Sequence, residues 1–221
     1  MNIFTEISTA EEYDSFYQTQ QGREVDRIEK VLMQGLMNGT PPGEMLELGC
    51  GTGHWTDFFC QKGFQLTAID ESDVMLAIAK KKKLKNAVFQ KADASRLPFP
   101  DQSFSVIASV TMLEFVENIN QVFDEIDRVL KPGGILLIGW LNALSELGKN
   151  KQNSHTFRNA RLYFPSQIES LLSRFGTPIV NSGVYYSPSF ELLDGTEKQN
   201  SVHPAFIVTS VQKTKQHGNI R

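Results

Sequence analysis

Three glycines and one aspartate in the first third of the chain have the types and spacing of a ligand-binding site. Gly49, Gly51 and Gly53 follow a short apolar run, and Asp70 lies 21 residues after Gly49. Closely spaced glycines let the backbone turn sharply and let a ligand lie against main-chain N–H groups. A carboxylate at this distance can accept hydrogen bonds from the two adjacent hydroxyls of a ribose. The set therefore predicts a site for a ligand that contains a ribose.

The elements around these residues form the first half of a βαβ unit. Residues 45–48 predict a buried strand, and the helical spacing of Trp55, Phe58 and Phe59 predicts a helix directly after the glycines. A second strand, at 65–69, ends immediately before the aspartate. Ligands of open α/β sheets lie beyond the carboxyl ends of the strands, which is where both motifs fall.

The glycine pattern excludes two motifs that bind diphosphates. The dinucleotide fingerprint requires glycine at its first, third and sixth positions, and the sixth position here is His54. That glycine allows close packing of helix on strand, which an imidazole would block. The phosphate loop of nucleotide triphosphatases is absent because no Gly-Lys-Ser/Thr follows. An ordinary glycine turn in another α/β protein remains the alternative.

The sequence Glu-Leu-Gly-Cys-Gly-Thr-Gly of residues 47–53 resembles the first motif of the class I S-adenosylmethionine-dependent methyltransferases. Two later features resemble the same family. They are Ala-Asp-Ala at 92–94 with the proline-punctuated turn after it, and the Leu-Lys-Pro-Gly-Gly turn at 130–134. The chain is similar to the small-molecule branch, of the ubiquinone and menaquinone biosynthesis type. The resemblance covers residues 13 to about 142 and is specific for cofactor and fold, not for substrate.

The resemblance implies S-adenosylmethionine as the cofactor and assigns residues to its binding. The glycine loop would surround the amino-acid part, Asp70 would hold the ribose, and Asp93 would accept from the adenine amino group. Met75 would cover the adenine face, with a core methionine as the equal alternative. The expected cofactor-binding residues are Gly49, Cys50, Gly51, Gly53, Asp70, Glu71, Met75, Asp93, Ala94 and Val110.

The predicted fold class is α/β. We expect a Rossmann-like, doubly wound, seven-stranded sheet that is mostly parallel, with the last strand antiparallel and helices on both faces. Continuous apolar character in the fourth strand fits a parallel strand buried on both faces. After the first two strands, the others are predicted at 87–91, 104–110, 135–140, 179–186 and 205–211, the last two forming an antiparallel hairpin.

A single methyltransferase domain is expected for residues 1–221. Residues 13–23 resemble the tyrosine-rich N-terminal lid of a subgroup of the family, and plain surface packing is the alternative. The predicted parts are an N-terminal lid and helix (1–40), a cofactor-binding core (41–141), a substrate-cover loop (142–164) and a C-terminal helix and hairpin (165–212). The N-terminal helix is expected to pack on the sheet through Val25, Ile28, Val31, Leu32 and Leu36.

Methyl transfer from a sulfonium requires few catalytic side chains, because the leaving group is already good. The protein must align the nucleophile with the C–S bond for a direct in-line displacement. A base is needed only when the nucleophile is a hydroxyl or an acidic carbon. Candidate bases, each with a structural role as the alternative, are Glu114, Tyr17, His155 and Tyr163. Candidate substrate-binding residues are Tyr13, Tyr17, Phe115, Asn142 and Arg161.

The end of the fourth strand and the composition of the chain limit which classes of substrate and partner we expect. Residues 110–116 lack the Asn/Asp-Pro-Pro-Tyr motif of methyltransferases that act on DNA amines or glutamine amides. The net charge is −3, and the lysines at 80–83 end a predicted helix, where cations are favoured. No apolar run reaches the ~20 residues of a membrane span. We therefore expect a small-molecule substrate, without nucleic acid, membrane or metal as partner.

Other expectations concern compartment, assembly and competing functions. Cys50 and Cys60 form neither a spaced metal set nor a disulfide framework, and the start of the chain shows no secretory signal. These features predict a cytoplasmic protein, either monomer or homodimer. One alternative is a non-catalytic protein that binds S-adenosylmethionine or S-adenosylhomocysteine. The other, an NAD-dependent oxidoreductase, is disfavoured by His54 and Asp93-Ala94.

Overall fold

The computed structural model describes residues 4, 13–193 and 202–214. A β-sheet forms its centre, and a two-stranded ribbon lies apart from that sheet. The strands are β1 (Glu44–Leu48), β2 (Gln65–Asp70), β3 (Ala87–Lys91), β4 (Phe104–Val110), β5 (Leu130–Leu141), β6 (Ile179–Gly183), β7 (Tyr185–Tyr186), β8 (Leu192–Leu193) and β9 (Phe206–Gln212).

The central sheet has seven strands in the order β3-β2-β1-β4-β5-β9-β6. The pairs among β1 to β5 are parallel, whereas β9 is antiparallel to both of its neighbours. The order reverses beside β1, which creates the switch point where ligands bind in open α/β sheets. This confirms the predicted seven-stranded sheet with an antiparallel last strand.

The helices occupy both faces of the sheet. They are α1 (Gln20–Met37), α2 (His54–Gln61), α3 (Asp73–Lys81), α4 (Ile119–Val129), α5 (Glu146–Asn150) and α6 (Pro165–Leu172). Leu46 and Leu48 of β1 pack in one hydrophobic cluster with residues of α4 and α6. Met45 packs in a second cluster with residues of α1 and α2. Because successive residues of a strand point to opposite faces, the two clusters are the two halves of a doubly wound core.

Three details of the fold differ from the sequence-based expectation. Val31 of α1 is 61% exposed, and Met33 is fully buried in its place. β5 begins at Leu130, and its pairing with β4 shifts register before Ile135, so the expected turn is an irregular start of the strand. The predicted strand 179–186 is broken at Val184, which has a φ of 60° and separates β6 from β7.

The segment after β5 has more structure than the irregular loop that was predicted. It contains α5 and a short 3-10 turn, Lys151–Asn153. Ser145 caps α5 by accepting a hydrogen bond from the Gly148 N–H at 3.1 Å. No helix in the part of the chain that the structure describes is both long enough and apolar enough to span a membrane.

Candidate active site

The loop between β1 and α2 depends on three glycines with left-handed backbone angles. Gly49, Gly51 and Gly53 have φ values of 70°, 52° and 81°. A Cβ on Gly49 would lie 2.1 Å from Met112 Cγ, and one on Gly53 would lie 3.3 Å from Ala79 Cβ. A Cβ on Gly51 would meet no atom within 4 Å. A side chain at Gly49 would clash and one at Gly53 would be tightly packed, whereas Gly51 faces open space.

Asp70, at the end of β2, joins the glycine loop to the start of α3. Its Oδ2 accepts a hydrogen bond from the Gly51 N–H and its Oδ1 from the Ser72 N–H, each at 2.9 Å. Burial raises the pKa of Asp70, and the backbone donors oppose that effect. Each carboxylate oxygen can accept more than one hydrogen bond. Asp70 can therefore hold the loop and still accept hydrogen bonds from two hydroxyls.

A cavity of about 740 Å³, called the cofactor cavity below, lies at this edge of the sheet. Most of the residues expected to bind the cofactor line it. They are Gly49, Gly51, Asp70, Glu71, Met75, Asp93, Ala94 and Val110. Cys50 instead packs in a small core cluster with Ala68 and Leu76, and Gly53 packs near α3. The structure gives these last two residues a part in shaping the loop rather than in lining the cavity.

The carboxyls of Glu71 and Asp93 are neighbours in the lining of the cofactor cavity. Asp93 accepts hydrogen bonds from the N–H and the hydroxyl of Ser95, both at 2.7 Å. Although burial raises it, these hydrogen bonds bring the pKa of Asp93 below its ordinary value. Burial and the nearby Asp93 raise the pKa of Glu71. Asp93 is therefore an anionic hydrogen-bond acceptor in the lining of the cofactor cavity.

A second cavity, of about 320 Å³, shares part of its lining with the first. The shared residues are Phe4, Tyr13, Thr111, Phe115 and Thr156. We call the second cavity the aromatic chamber, because most of its large lining side chains are aromatic. Besides the shared Phe4, Tyr13 and Phe115, they are Phe16, Tyr17, Phe157, Tyr186 and Phe206. The two cavities adjoin where they share residues, and we call this boundary the rim.

Two β-branched residues of the chamber lining have unusual backbone angles. Thr111, on the rim, has a φ of 49°, and Val184 has a φ of 60°. Such angles are outliers for β-branched residues and persist only where the surrounding structure imposes them. Both outliers lie on the chamber wall, as is common for strained residues at functional sites.

Known proteins match this chain both over its central region and over nearly its whole length. Residues 46–138 match the methyltransferase domain family. An uncharacterized protein of Methanocaldococcus jannaschii is 30% identical, over 96% of this chain and 100% of that one. A demethylmenaquinone methyltransferase of Tropheryma whipplei is 38% identical over 105 residues, which are 47% of this chain and 44% of that enzyme. The chain thus spans less than half the length of this named relative.

A solved structure matches nearly the whole chain. It is an S-adenosylmethionine-dependent methyltransferase of Thermotoga maritima, described as a possible histamine N-methyltransferase. It is 25% identical, with a TM-score of 0.72 over 94% of this chain and 98% of that one. This chain belongs to the class I S-adenosylmethionine-dependent methyltransferases. The enzyme is a methyltransferase with S-adenosylmethionine as its cofactor, and not an oxidoreductase.

Among the candidate bases of the methyltransferase, Glu114 is the one that lines the cofactor cavity. It is 1% exposed, lies in the turn after β4 and lines the cofactor cavity. Its Oε1 accepts a hydrogen bond from the Leu141 N–H at 2.7 Å, and its Oε2 has no hydrogen-bond partner among the described residues. Burial raises the pKa of Glu114 to about 7. Glu114 can therefore exchange a proton near neutral pH.

The other candidate bases differ in their access to the cavities. Tyr17 lines the chamber, but burial raises its pKa well above the ordinary value, so the phenol stays neutral. The Tyr163 hydroxyl donates to the Leu113 carbonyl at 3.2 Å, and Tyr163 is fully buried in the core. His155 is exposed. Neither Tyr163 nor His155 lines either cavity, so neither is positioned to act as a base on a bound molecule.

The expected substrate-binding residues also differ in whether they line a cavity. Tyr13, Tyr17 and Phe115 line the chamber, and Arg161 lines the cofactor cavity. Asn142 lines neither. Its amide donates to the Pro204 carbonyl at 2.9 Å, and its Oδ1 accepts from the Leu144 N–H at 3.0 Å. Asn142 therefore fixes the backbone after β5 instead of facing a substrate.

His54 lies in a different place from the one that the motif comparison suggested. It begins α2, and its Nε2 lies 2.7 Å from Asp26 Oδ1 on α1. Its ring stacks on Tyr17 with centroids 3.8 Å apart and planes 9° apart. The imidazole therefore points toward α1 and does not separate α2 from the sheet. His54 connects the glycine loop to the segment that lines the chamber.

Glu29 lines the aromatic chamber but was not among the predicted site residues, although the sequence contains a signal for it. Glu29 is four residues from both Val25 and Met33, on the buried stripe of α1, and is only 8% exposed. A carboxyl at an apolar position of a helix is unusual because burying it is costly. Thr111 and Tyr186 were also missed, and for these two no local pattern distinguishes a cavity wall from ordinary core.

A buried acid outside both cavities gives a prediction about stability. Burial raises the pKa of Glu47 to about 8, although the Thr56 hydroxyl donates to it at 2.6 Å. The folded protein therefore holds the Glu47 proton more tightly than the unfolded chain, and this stabilisation is lost as pH rises from about 4.5 to about 8. Glu47→Gln should raise Tm by about 2–8 °C at pH 8.5 and by much less at pH 5. Thermal unfolding at both pH values measures this, and an equal gain at both would contradict it.

Proposed function

We propose that this methyltransferase transfers the methyl group by direct in-line displacement to a small molecule bound in the aromatic chamber. The observation that carries the proposal is the rim between the two cavities, which includes Tyr13, Thr111 and Phe115. A chamber of about 320 Å³ is within the range of small-ligand pockets. An acceptor there would face the cofactor across the rim, at the carboxyl ends of β4 and β5.

The cofactor residues present fit S-adenosylmethionine. Gly51 leaves open space beside the loop, and Asp70 and Asp93 place carboxylates along one cavity. When bound, the cofactor supplies an electrophilic methyl group that needs no activation by the protein. The work of the chain is then to align the acceptor and exclude water. Glu114 can accept a proton when the acceptor is a hydroxyl or an acidic carbon.

Two segments cover the opening in this proposal. In the first, residues 13–23, Asp14 accepts a hydrogen bond from the Thr52 hydroxyl at 2.5 Å and pairs with Lys82 at 3.1 Å. The second, residues 142–161, contributes Thr156 to both cavities and Phe157 to the chamber. Both segments therefore contact the site, which supports a cover role.

The division of the chain follows from this role. We assign 1–40 to the lid and its helix, 41–141 to the cofactor-binding core, 142–164 to the substrate cover and 165–212 to the C-terminal helix and hairpin. These parts form one domain. Residues 1–3 and 5–12 of the lid, and 194–201 of the C-terminal part, lie outside the described residues.

Limited proteolysis tests the cover. Trypsin should cleave after Arg23 and Arg158, which are exposed. Saturating S-adenosylhomocysteine should slow both cleavages by about tenfold or more, because closure removes the open state that the protease requires. Lys62, which is exposed and lines neither cavity, is the internal control. Equal rates at Arg23 and Arg158 with and without ligand would show that these segments do not close.

Transfer of labelled methyl tests the function itself. The enzyme is incubated with labelled S-adenosylmethionine and a cell extract that has been divided into small molecules and macromolecules. The proposal expects label in the small-molecule fraction, and none with a variant that cannot bind the cofactor. Label confined to protein or nucleic acid would refute a small-molecule acceptor. With a chiral methyl group, inversion supports direct displacement, and retention contradicts it.

A further inference from the structure

Glu29 is a buried carboxyl that the proposed methyl transfer does not use. It lies on α1, is 8% exposed and lines the aromatic chamber but not the cofactor cavity. Among the residues that the structure describes, none donates a hydrogen bond to it. Natural proteins rarely bury an acid without a partner, because the desolvation penalty is large. In its ionised form this carboxyl therefore lacks a counter-charge.

The charged neighbours of Glu29 do not supply that counter-charge. Asp26 and Lys30 on the same helix are the charges that act on it. Lys30 Nζ is paired with Asp26 Oδ2 at 2.8 Å, and Asp26 Oδ1 also meets His54. Within the described lining of the chamber there is no lysine or arginine. Glu29 is the one acidic residue of that lining.

The walls around Glu29 suit a cation. Tyr13, Tyr17 and Tyr186 line the same chamber, and the charge of Glu29 acts on all three phenols. The faces of aromatic rings attract ammonium groups, and the attraction is larger when the cation is desolvated. An anionic ligand would find no lysine or arginine in this lining and would gain nothing from ionisation of Glu29. A buried carboxylate among aromatic rings is the arrangement that recognises an organic ammonium ion.

We propose that the acceptor molecule carries a cationic amine and that Glu29, together with the tyrosines of the chamber, binds this ammonium group. The inference rests on the proposed function, since it takes the chamber to be the acceptor site. Because Glu29 lines only the chamber, the ammonium lies away from the rim and serves as a recognition group. The atom that receives the methyl group lies at the rim, beside Thr111 and Phe115.

Protonation of Glu29 supplies a distinctive readout. Burial raises the pKa of Glu29 to about 8, so the carboxyl is mainly protonated at pH 7 before ligand enters. An ammonium ion favours the charged form of a neighbouring carboxyl. Binding should therefore release close to one proton at pH 7, and the affinity should rise as pH increases toward 8.

The experiment uses three compounds of similar shape and different charge. They are 2-phenylethylamine, 2-phenylethanol and 3-phenylpropanoate, each titrated into the enzyme saturated with S-adenosylhomocysteine. Calorimetry in phosphate and in Tris buffer separates the proton release from the binding heat. We expect the amine to bind at least about tenfold more tightly than the alcohol and the acid, with proton release. Equal affinity for the three compounds in the parent enzyme would overturn the proposal.

Two variants distinguish recognition of the ammonium group from the general effect of removing a buried acid. Glu29→Gln keeps the shape of the side chain and should remove both the amine preference and the proton release. Glu47→Gln removes another buried acid of similarly raised pKa that lines neither cavity, and should keep both. A Glu29→Gln enzyme that binds S-adenosylhomocysteine and still prefers the amine would overturn the proposal. The comparison of the three compounds in the parent remains decisive if Glu29→Gln does not fold.

Failure of this inference can be told apart from failure of the proposed function. If labelled methyl is transferred to a neutral or anionic small molecule, the proposed function stands and the ammonium site is refuted. If label reaches only macromolecules, the proposed function fails as well.

Discussion

Replacing Asp70 by alanine should lower the affinity for S-adenosylhomocysteine by about a hundredfold or more. The carboxylate holds the N–H groups of Gly51 and Ser72 and lines the cofactor cavity. Each hydrogen bond to a charged group contributes about 1.5–3 kcal/mol, and about 2.7 kcal/mol corresponds to a hundredfold change in affinity. The variant loses the anchor of the loop as well as the acceptor for the ribose. Calorimetric titration with S-adenosylhomocysteine measures the change.

Asp73 supplies the matched control for Asp70. It lies three residues later, its side chain is 74% exposed, and it pairs with Lys91 on the surface. Asp73→Ala should bind S-adenosylhomocysteine as the parent does, because exposed pairs contribute little. If a folded Asp70→Ala enzyme also binds like the parent, Asp70 is not part of the cofactor site.

Gly51→Ala should lower the affinity for S-adenosylhomocysteine by about tenfold or more while the enzyme stays folded. The added methyl group would meet no protein atom within 4 Å and would project into the space that the cofactor is expected to fill. The left-handed φ of 52° also costs an alanine about 1–2 kcal/mol. Affinity and Tm are measured on the same preparation.

Gly39→Ala separates the backbone effect from the contact with ligand. Gly39 has a φ of 87° and equally open surroundings, but it follows α1 and lines neither cavity. Both variants should lose similar stability, and only Gly51→Ala should lose affinity. If both variants bind S-adenosylhomocysteine equally well, the open space beside Gly51 is not the cofactor site.

The fold could be read from the sequence because its signals are local. The apolar run before Gly49 predicted β1, and Trp55, Phe58 and Phe59 predicted α2, whose buried face they form. Ser72 directly precedes α3 and is a residue type that favours helix N-caps, and its hydroxyl accepts from the Met75 N–H at 3.2 Å. Each of these signals depends on residues a few positions apart, so no tertiary contact was needed to interpret it.

The aromatic chamber could not be read in this way. It joins residues from α1, the end of β4, the segment after β5 and the last strand, which are far apart in the chain. Aromatic residues at such positions look like ordinary core until their partners are known. Asn142 and Tyr163 illustrate the converse error, since a polar group near a predicted site can instead satisfy backbone groups. Glu29 was recoverable, because an acid on the apolar stripe of a helix is a local anomaly.

The most direct test of the account is a crystal structure of the enzyme with S-adenosylhomocysteine. We expect the ribose hydroxyls within hydrogen-bonding distance of Asp70, the adenine amino group beside Asp93, and the sulfur facing the rim at Thr111 and Phe115. The aromatic chamber would then lie directly in front of the sulfur. A ligand bound with its sulfur turned away from the rim, or bound outside the cofactor cavity, would contradict transfer to an acceptor in that chamber.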